Sequence, residues 1–156
     1  MTEIAQIIRE ATSIDAEQIH TLLREVELST SDILATGTRY WLAEDAHSQP
    51  IGVIGLEFGV NAVLLRSAAV LPTQRGQGIG AALVQWALGA AAREGYQRVY
   101  LFSTGAGTYW TRLGFWEVPV SELVAALPDV PQVREYDALG WLPTEVAWRN
   151  ALTVDS

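Results

Sequence analysis

The sequence predicts an α/β protein built on a mixed, mostly antiparallel sheet with helices on both faces. Three strand-like apolar runs precede the middle of the chain, at 40–44, 51–58 and 63–70, separated by polar or glycine-containing turns. A glycine-rich loop then leads into a helix from Ile79, and a strand, a short helix and further strands follow. Strands before and after a helix indicate one mixed sheet covered by helices, and 156 residues suit a single domain, 1–156.

The remaining elements follow from local signals. A short strand over 6–9 precedes a helix from Asp15, with Ser13 as its expected cap. Gly95 ends the long helix, because glycine readily takes the left-handed backbone that stops one. We predict further strands at 98–102, 115–118 and 145–151, helical stretches at 28–38, 108–113 and 120–127, and a turn-rich segment at 129–143.

The stretch 70–86 carries the strongest functional signal. Three glycines alternate there, at Gly76, Gly78 and Gly80. They follow Arg75 and let backbone amides approach a ligand closely. The first turn of the next helix presents free amides and the positive end of its dipole, which favours a phosphate or pyrophosphate. The alternative is a surface turn, which does not need three alternating glycines and an arginine.

Two other phosphate-binding loops fit less well. A P-loop needs Lys and then Ser or Thr after its last glycine, whereas Ala81 and Ala82 stand here and the chain contains no lysine. Gly76-x-Gly78-x-x-Ala81 fits a dinucleotide fingerprint locally. That motif expects the first βαβ unit and an acid about 20 residues further on, but this loop is mid-chain and the next strand ends in Ser103-Thr104.

Two blocks of sequence carry a resemblance to a known family. Arg75-x-x-Gly78-x-Gly80, after a strand that ends in Ala68-Ala69-Val70, closely resembles the acyl-CoA loop of the GNAT N-acetyltransferases. The second block, Ser103-x-x-Ala106 followed by Tyr109-Trp110-Thr-Arg-Leu-Gly114-Phe115, is similar to the segment in which those enzymes carry Asn-x-x-Ala, a Tyr and Leu-Gly-Phe. The run 64–70 also resembles the arsenic-resistance N-acetyltransferase subgroup, whose members act on small amino-acid-like amines.

The resemblance implies the GNAT fold over nearly the whole chain and acetyl-CoA as co-substrate, without a metal. In that fold two strands splay apart, pantetheine lies between them, and the acyl group points towards Glu57, Arg66 and Tyr109. The segment 28–38 would then be a lid over the acceptor site, with a plain connector as the alternative. The residues expected to bind acetyl-CoA are Ala68, Ala69, Val70, Arg75, Gly76, Gln77, Gly78, Ile79, Gly80, Ala81 and Ser103.

Composition restricts the chemistry further. The absence of cysteine excludes a disulfide, a thiolate metal site and a cysteine acyl-enzyme. The net charge of −8 argues against a nucleic-acid partner. No apolar run approaches the roughly 18 residues of a membrane helix and no signal peptide is evident, so we expect a cytoplasmic protein. Its expected partner is a small-molecule amine, and a homodimer is left open.

The catalytic acid departs from the family pattern. In this family the Tyr that usually serves as the general acid lies four residues before the Gly of Leu-Gly-Phe. Trp110 stands at that position here. An indole N–H cannot usefully release a proton, so Tyr109 is the nearest phenol. It is either the acid or a core aromatic, in which case water protonates the thiolate. Glu57 is the candidate base, acting directly or through water, and its alternatives are a solvated strand-end charge or a partner for Arg66.

Arg66 is the candidate substrate-binding residue. If 59–62 is a four-residue hairpin loop, Glu57 faces Leu64 across the strands, and Arg66 shares their face. An arginine in an apolar strand is costly unless it is paired. It either forms a structural salt bridge with Glu57 or holds an acceptor carboxylate bidentately. The second reading predicts an N-acetyltransferase for an amino acid or analogue, and the rivals are a non-catalytic acyl-CoA-binding module and a peptide or protein acetyltransferase.

Overall fold

The computed structural model describes residues 7–153. Its strands are β1 Ile7–Glu10, β2 Thr38–Glu44, β3 Pro50–Phe58, β4 Ala62–Val70, β5 Arg98–Phe102, β6 Trp116–Val118 and β7 Ala147–Ala151. Its α-helices are α1 Ala16–Glu25, α2 Ile79–Arg93, α3 Gly107–Arg112, α4 Val120–Ala126 and α5 Pro131–Ala138. The seven strands form one sheet in the order β1-β2-β3-β4-β5-β7-β6. The strand β4 pairs with β5 in parallel, whereas β1 with β2, β5 with β7 and β6 with β7 are antiparallel. The predicted mixed α/β fold is confirmed.

Within this sheet the described residues form two units. The first comprises residues 7–56 and Ser67–Ala87, and the second comprises Glu57–Arg66 and residues 88–153. The strands β3 and β4 and the helix α2 contribute residues to both units. Gln6, the first residue of the predicted opening strand, lies outside the described residues.

The first unit has its core under α1. Apolar residues three and four apart put Ile19, Leu22 and Leu23 on one face of this helix. That face packs with a cluster formed by Ala11, Tyr40, Leu42 and Val53. An ion pair fastens the chain just before the helix, where the Arg9 guanidinium contacts Asp15 at 2.8 Å and Glu44 at 3.1 Å.

The second unit has its core under α4 and α5. The strand β5 is apolar along its middle, and Val99, Tyr100 and Leu101 are all buried, as expected of a strand covered on both faces. The α4–α5 side of this core contains Leu64, Tyr100, Val118, Leu123, Leu127, Val130 and Val133.

The structure corrects two predictions near the first helix. Ser13 is not the cap: a 3-10 turn spans Ser13–Asp15, and Asp15 accepts a hydrogen bond from the Thr12 amide at 2.8 Å. The segment 28–38 forms turns rather than helix. Its backbone is left-handed at Asp32 (φ 60°) and Leu34 (φ 59°), a conformation that interrupts a right-handed helix.

The prediction for 129–143 is also wrong in part, because this segment contains the eight-residue helix α5. Pro131 is compatible with the first turn of a helix, where the missing amide is not needed. The Gln132 amide at the same end donates to Glu57 Oε1 at 2.9 Å. A residue 75 positions earlier in the chain therefore caps α5, and no local signal announces such a cap.

Candidate functional site

The loop before α2 has the backbone that an anion site requires. Gly76 and Gly78 have φ angles of 82° and 79°, in the left-handed region that favours glycine. A Cβ on either residue would meet nothing within 4 Å, so backbone conformation rather than space calls for glycine. The exposed loop passes directly into α2 at Ile79, which is 1% exposed and anchors the helix start.

Hydrogen-bond donors converge on this loop. The helical bonds of α2 begin with the Ala82 amide, which donates to the Gly78 carbonyl at 3.0 Å. The amides of the preceding turn have no acceptor within the helix, as at any helix N-terminus. Arg75 is exposed and its Nε donates to the Val70 carbonyl at 3.1 Å, which holds the guanidinium beside the loop. The residues present therefore suit a pyrophosphate.

The strand β4 departs from regular geometry before it reaches the loop. Ser67 has a φ of 58°, and a left-handed residue inside a strand is typical of a β-bulge. The alternation of side chains that relates Leu64 to Arg66 therefore does not carry through to Ala68 and Val70.

The strand β4 pairs with its parallel neighbour β5 over a short length only. The register runs from Ala62 opposite Arg98 to Leu64 opposite Tyr100, although β5 continues to Phe102 and β4 to Val70. After β5, the Ser103 amide donates to the Val146 carbonyl at 2.9 Å. The carboxyl ends of parallel strands are where open α/β sheets bind their ligands.

Glu57 and Arg66 meet in the interior of the second unit. Arg66 Nη1 donates to Glu57 Oε2 at 2.8 Å, and the two side chains are 1% and 0% exposed. The loop before β4 is tighter than predicted, because the Gly59 amide donates to the Ala62 carbonyl at 2.9 Å. That bond pairs Gly59 with Ala62, which is consistent with the predicted register of β3 against β4. Of the alternatives left open for Glu57, the partner of Arg66 is observed and the solvated charge is wrong.

The two aromatic residues of α3 lie in different environments. Trp110 is 7% exposed and packs edge-on against Phe115, with ring centroids 5.4 Å apart. Its indole nitrogen has no hydrogen-bond partner in the described part of the chain. Tyr109 is 39% exposed, so the core alternative for this residue is wrong, and partial burial raises the pKa of its phenol.

Sequence reasoning missed a group of residues at the carboxyl end of β5. The Tyr136 ring on α5 lies 5.1 Å from that of Phe102 and 5.4 Å from that of Trp141. Burial and the nearby Glu145 carboxylate raise the pKa of Tyr136, while Arg66 acts in the opposite direction. Two aromatic residues, Tyr136 and Trp141, in a segment predicted to be turn-rich were the available signal. Among residues 7–153 no group of acidic, histidine or cysteine side chains could hold a metal ion.

Comparison with known proteins identifies the family to which the chain belongs. A profile of the acetyltransferase (GNAT) domain matches residues 36–117, whereas no curated protein sequence matches. A GNAT acetyltransferase from Staphylococcus aureus Mu50 superposes with a TM-score of 0.73 at 18% identity, over 96% of this chain and 100% of the other. Escherichia coli YhbS, in complex with CoA, gives a TM-score of 0.70 at 22% identity over 98% and 84%.

A third similar structure belongs to a larger protein. N-acetylglutamate synthase from Neisseria gonorrhoeae, complexed with coenzyme A and N-acetyl-glutamate, gives a TM-score of 0.78 at 21% identity. The match covers 97% of this chain but 36% of that one. The GNAT profile spans more than half of the residues of the present chain. The chain therefore belongs to the GNAT acetyltransferase family, whose enzymes use acetyl-CoA. Across the described residues, no helix combines the length and apolar character needed to cross a membrane.

Proposed function

We propose that the protein is an N-acetyltransferase that moves the acetyl group of acetyl-CoA to the primary amine of an amino acid or amino-acid analogue. The loop 75–80, with its left-handed glycines at the start of α2, is the observation that carries the acetyl-CoA part. The same loop lies inside the part of the chain that the family profile matches. We further propose one catalytic domain over 1–156, in keeping with a similar structure whose whole length this chain covers.

The co-substrate would be held mainly by main-chain groups. The amides of Gln77, Gly78 and Ile79 would bind the pyrophosphate, with Arg75 adding a positive charge. The main chain of 68–70 would pair with the pantetheine amides as an added strand does, and the Ser103 hydroxyl would add a further hydrogen bond. The remaining members of the proposed set are Ala68, Ala69, Val70, Gly76, Gly80 and Ala81.

Chemistry would proceed by direct attack, since no cysteine is present to form an acyl-enzyme. A carboxylate, for which the sequence nominates Glu57, takes a proton from the acceptor ammonium. Main-chain amides near Val70 stabilise the oxyanion of the tetrahedral intermediate. Tyr109 or water then protonates the departing thiolate.

The acceptor class rests on Arg66. A buried guanidinium is suited to a carboxylate, because its planar fork can donate two parallel hydrogen bonds. The similar N-acetylglutamate synthase binds coenzyme A and N-acetyl-glutamate, an acetylated amino acid, which supports an acceptor of this class. A cytoplasmic location and a possible homodimer remain expectations from the sequence.

Thiol release from acetyl-CoA tests the proposal. The protein would be assayed with amino acids, amino-acid analogues, the matching decarboxylated amines, peptides and aminoglycosides. We expect amino acids to give a higher kcat/KM than their decarboxylated counterparts. The substitution of Trp110 for the usual Tyr makes a non-catalytic module the second candidate. Acetyl-CoA binding without turnover of any amine would establish that candidate instead, and preference for a peptide would point to protein acetylation.

A further inference from the structure

Glu145 lies at the carboxyl end of β5, and both Glu145 and Arg66 are near enough to Tyr136 to influence its pKa. The strands β5 and β7 are antiparallel with Phe102 opposite Ala147, and Ser103 bonds to Val146. Glu145 therefore stands at the point where β7 approaches the end of β5. Its amide donates to the Leu142 carbonyl at 3.2 Å, which fixes the backbone that bears the carboxylate.

The Glu145 carboxylate lies near enough to Tyr136 to raise the pKa of its phenol, and Tyr136 belongs to a group of aromatic rings. Tyr136 contacts Phe102 and Trp141, and the Trp141 amide donates to the Tyr136 carbonyl at 2.9 Å, so that the two rings are held near each other. Trp141 is 48% exposed. An exposed indole face can bind an ammonium group through a cation–π interaction, and a carboxylate near the same group of rings adds the attraction of its charge.

The carboxylates of Glu145 and Glu57 differ in their burial and in their hydrogen bonds. Glu57 is fully buried, with Oε2 bonded to Arg66 and Oε1 bonded to the Gln132 amide. The Glu145 carboxylate is half-buried, and it accepts no hydrogen bond and joins no ion pair among residues 7–153. Burial raises its pKa, which makes the carboxylate a better proton acceptor. A general base needs an available lone pair, and the Glu145 carboxylate has oxygens that no described residue occupies, whereas both oxygens of Glu57 are engaged.

We infer that Glu145, rather than Glu57, is the general base, and that Tyr136 and Trp141 flank the acceptor amine. This inference rests on the proposed acetyltransferase activity. The acceptor ammonium gives one proton to the Glu145 carboxylate, and the free amine forms a bond to the acyl carbon. The C–S bond then breaks as the amide forms, and the second proton lost by the nitrogen passes through Tyr109 or water to the sulfur, which leaves as the thiol. Glu145 returns its proton to solvent. Glu57 is then a positioning residue for Arg66 and α5.

A base acting on an ammonium substrate leaves a signature in the pH dependence. The groups that surround this site are Glu145 and Tyr136, with Arg66, Glu57 and Glu135 acting on Tyr136. Without the Glu145 carboxylate, the rate of acetyl transfer would depend on the fraction of acceptor amine that is already deprotonated. That fraction rises with pH, so the loss of activity in a Glu145→Gln variant should shrink as the pH rises towards the pKa of the amine.

The experiment measures the acceptor kcat/KM from pH 6 to 10 for the intact chain, Glu145→Gln, Glu57→Gln and the exposed control Glu117→Gln. We expect Glu145→Gln to lose about 10²-fold at pH 7 and to approach the parent enzyme at high pH. Its melting temperature and acetyl-CoA affinity should not change. Glu145→Ala should regain activity with added formate, whose carboxylate replaces the missing one.

Several outcomes would overturn the inference. A loss below threefold for Glu145→Gln, or an equal loss at every pH, would remove Glu145 from the chemistry. A pH-dependent loss in Glu57→Gln alone would return the role of base to Glu57. In all three cases the parent enzyme still turns over, so the proposed function stands. If the parent enzyme acetylates no amine, the proposed function fails and the inference fails with it.

Discussion

The Arg66 guanidinium and the Glu57 carboxylate form a salt bridge, 2.8 Å from Nη1 to Oε2, that is almost completely removed from solvent. Because the same carboxylate also accepts a hydrogen bond from the first turn of α5, one acidic side chain connects two strands and a helix. Two consequences follow for Arg66, one for stability and one for substrate choice.

Removing either partner should destabilise the protein strongly. In Glu57→Ala the guanidinium loses its carboxylate and the Gln132 amide loses its acceptor, so we expect a loss of about 3–5 kcal/mol in the free energy of unfolding. Glu57→Gln keeps an oxygen for the amide and should lose less. Denaturant unfolding of both variants measures the difference. Equal stability of Glu57→Ala and the parent protein would show that the pair contributes nothing.

The sequence predicted the sheet, α2 and the glycine loop because each depends on local signals: alternation, helical spacing and glycine at left-handed positions. It did not predict α5, whose cap comes from Glu57, distant in the sequence. Nor did it indicate the left-handed backbone at Ser67, where serine has no special preference. Tyr136 and Glu145 belong to no motif: the pairing of β5 with β7 brings Glu145 to the end of β5, and α5 places Tyr136 against Phe102 at the same end.

Gly78→Glu should abolish acetyl-CoA binding. The substitution places a carboxylate in the loop where we propose that the pyrophosphate binds. The backbone at Gly78 is left-handed, so any side chain there also adds strain of about 1–2 kcal/mol. Gly78→Ala is the matched control, since it adds the strain without the charge. Calorimetric titration with acetyl-CoA would show loss of binding in the first variant alone. Unchanged affinity in Gly78→Glu would place the co-substrate elsewhere.

Tyr109→Phe tests the proposed acid. If this partly exposed phenol protonates the thiolate, its removal should lower kcat by about 10²-fold with little change in acetyl-CoA affinity. Steady-state kinetics and a binding titration separate these effects. Tyr96→Phe is a control that removes a phenol elsewhere in the second unit, and its kcat should not change. An effect below threefold in Tyr109→Phe would assign proton delivery to water.

The protein should lose stability in acid, because Asp15 becomes protonated there and its stabilising contribution is lost. Its hydrogen bonds with Arg9 and the Thr12 amide lower its pKa from 3.8 to about 2 in the folded state. A depressed carboxyl pKa contributes stability above its unfolded value, and that contribution disappears as the pH falls from about 4 to about 2. Thermal melts across this window should show a steeper fall for the parent protein than for Asp15→Asn. The exposed control Asp129→Asn should behave like the parent, and an identical profile for Asp15→Asn would contradict the prediction.

The last prediction concerns Arg66 and the acceptor carboxylate. Arg66→Lys keeps the positive charge beside Glu57 but loses the planar fork that can bind a carboxylate through two hydrogen bonds. If Arg66 holds the acceptor, the variant should raise the acceptor KM about tenfold, the worth of one hydrogen bond to a charged group, and should leave acetyl-CoA affinity unchanged. The preference for an amino acid over its decarboxylated amine should fall by a similar factor, because the decarboxylated amine never used the lost contact. A melting curve shows how much folded protein enters each assay. If stability drops while that preference stays the same, Arg66 is structural, and the amino-acid substrate loses its main support.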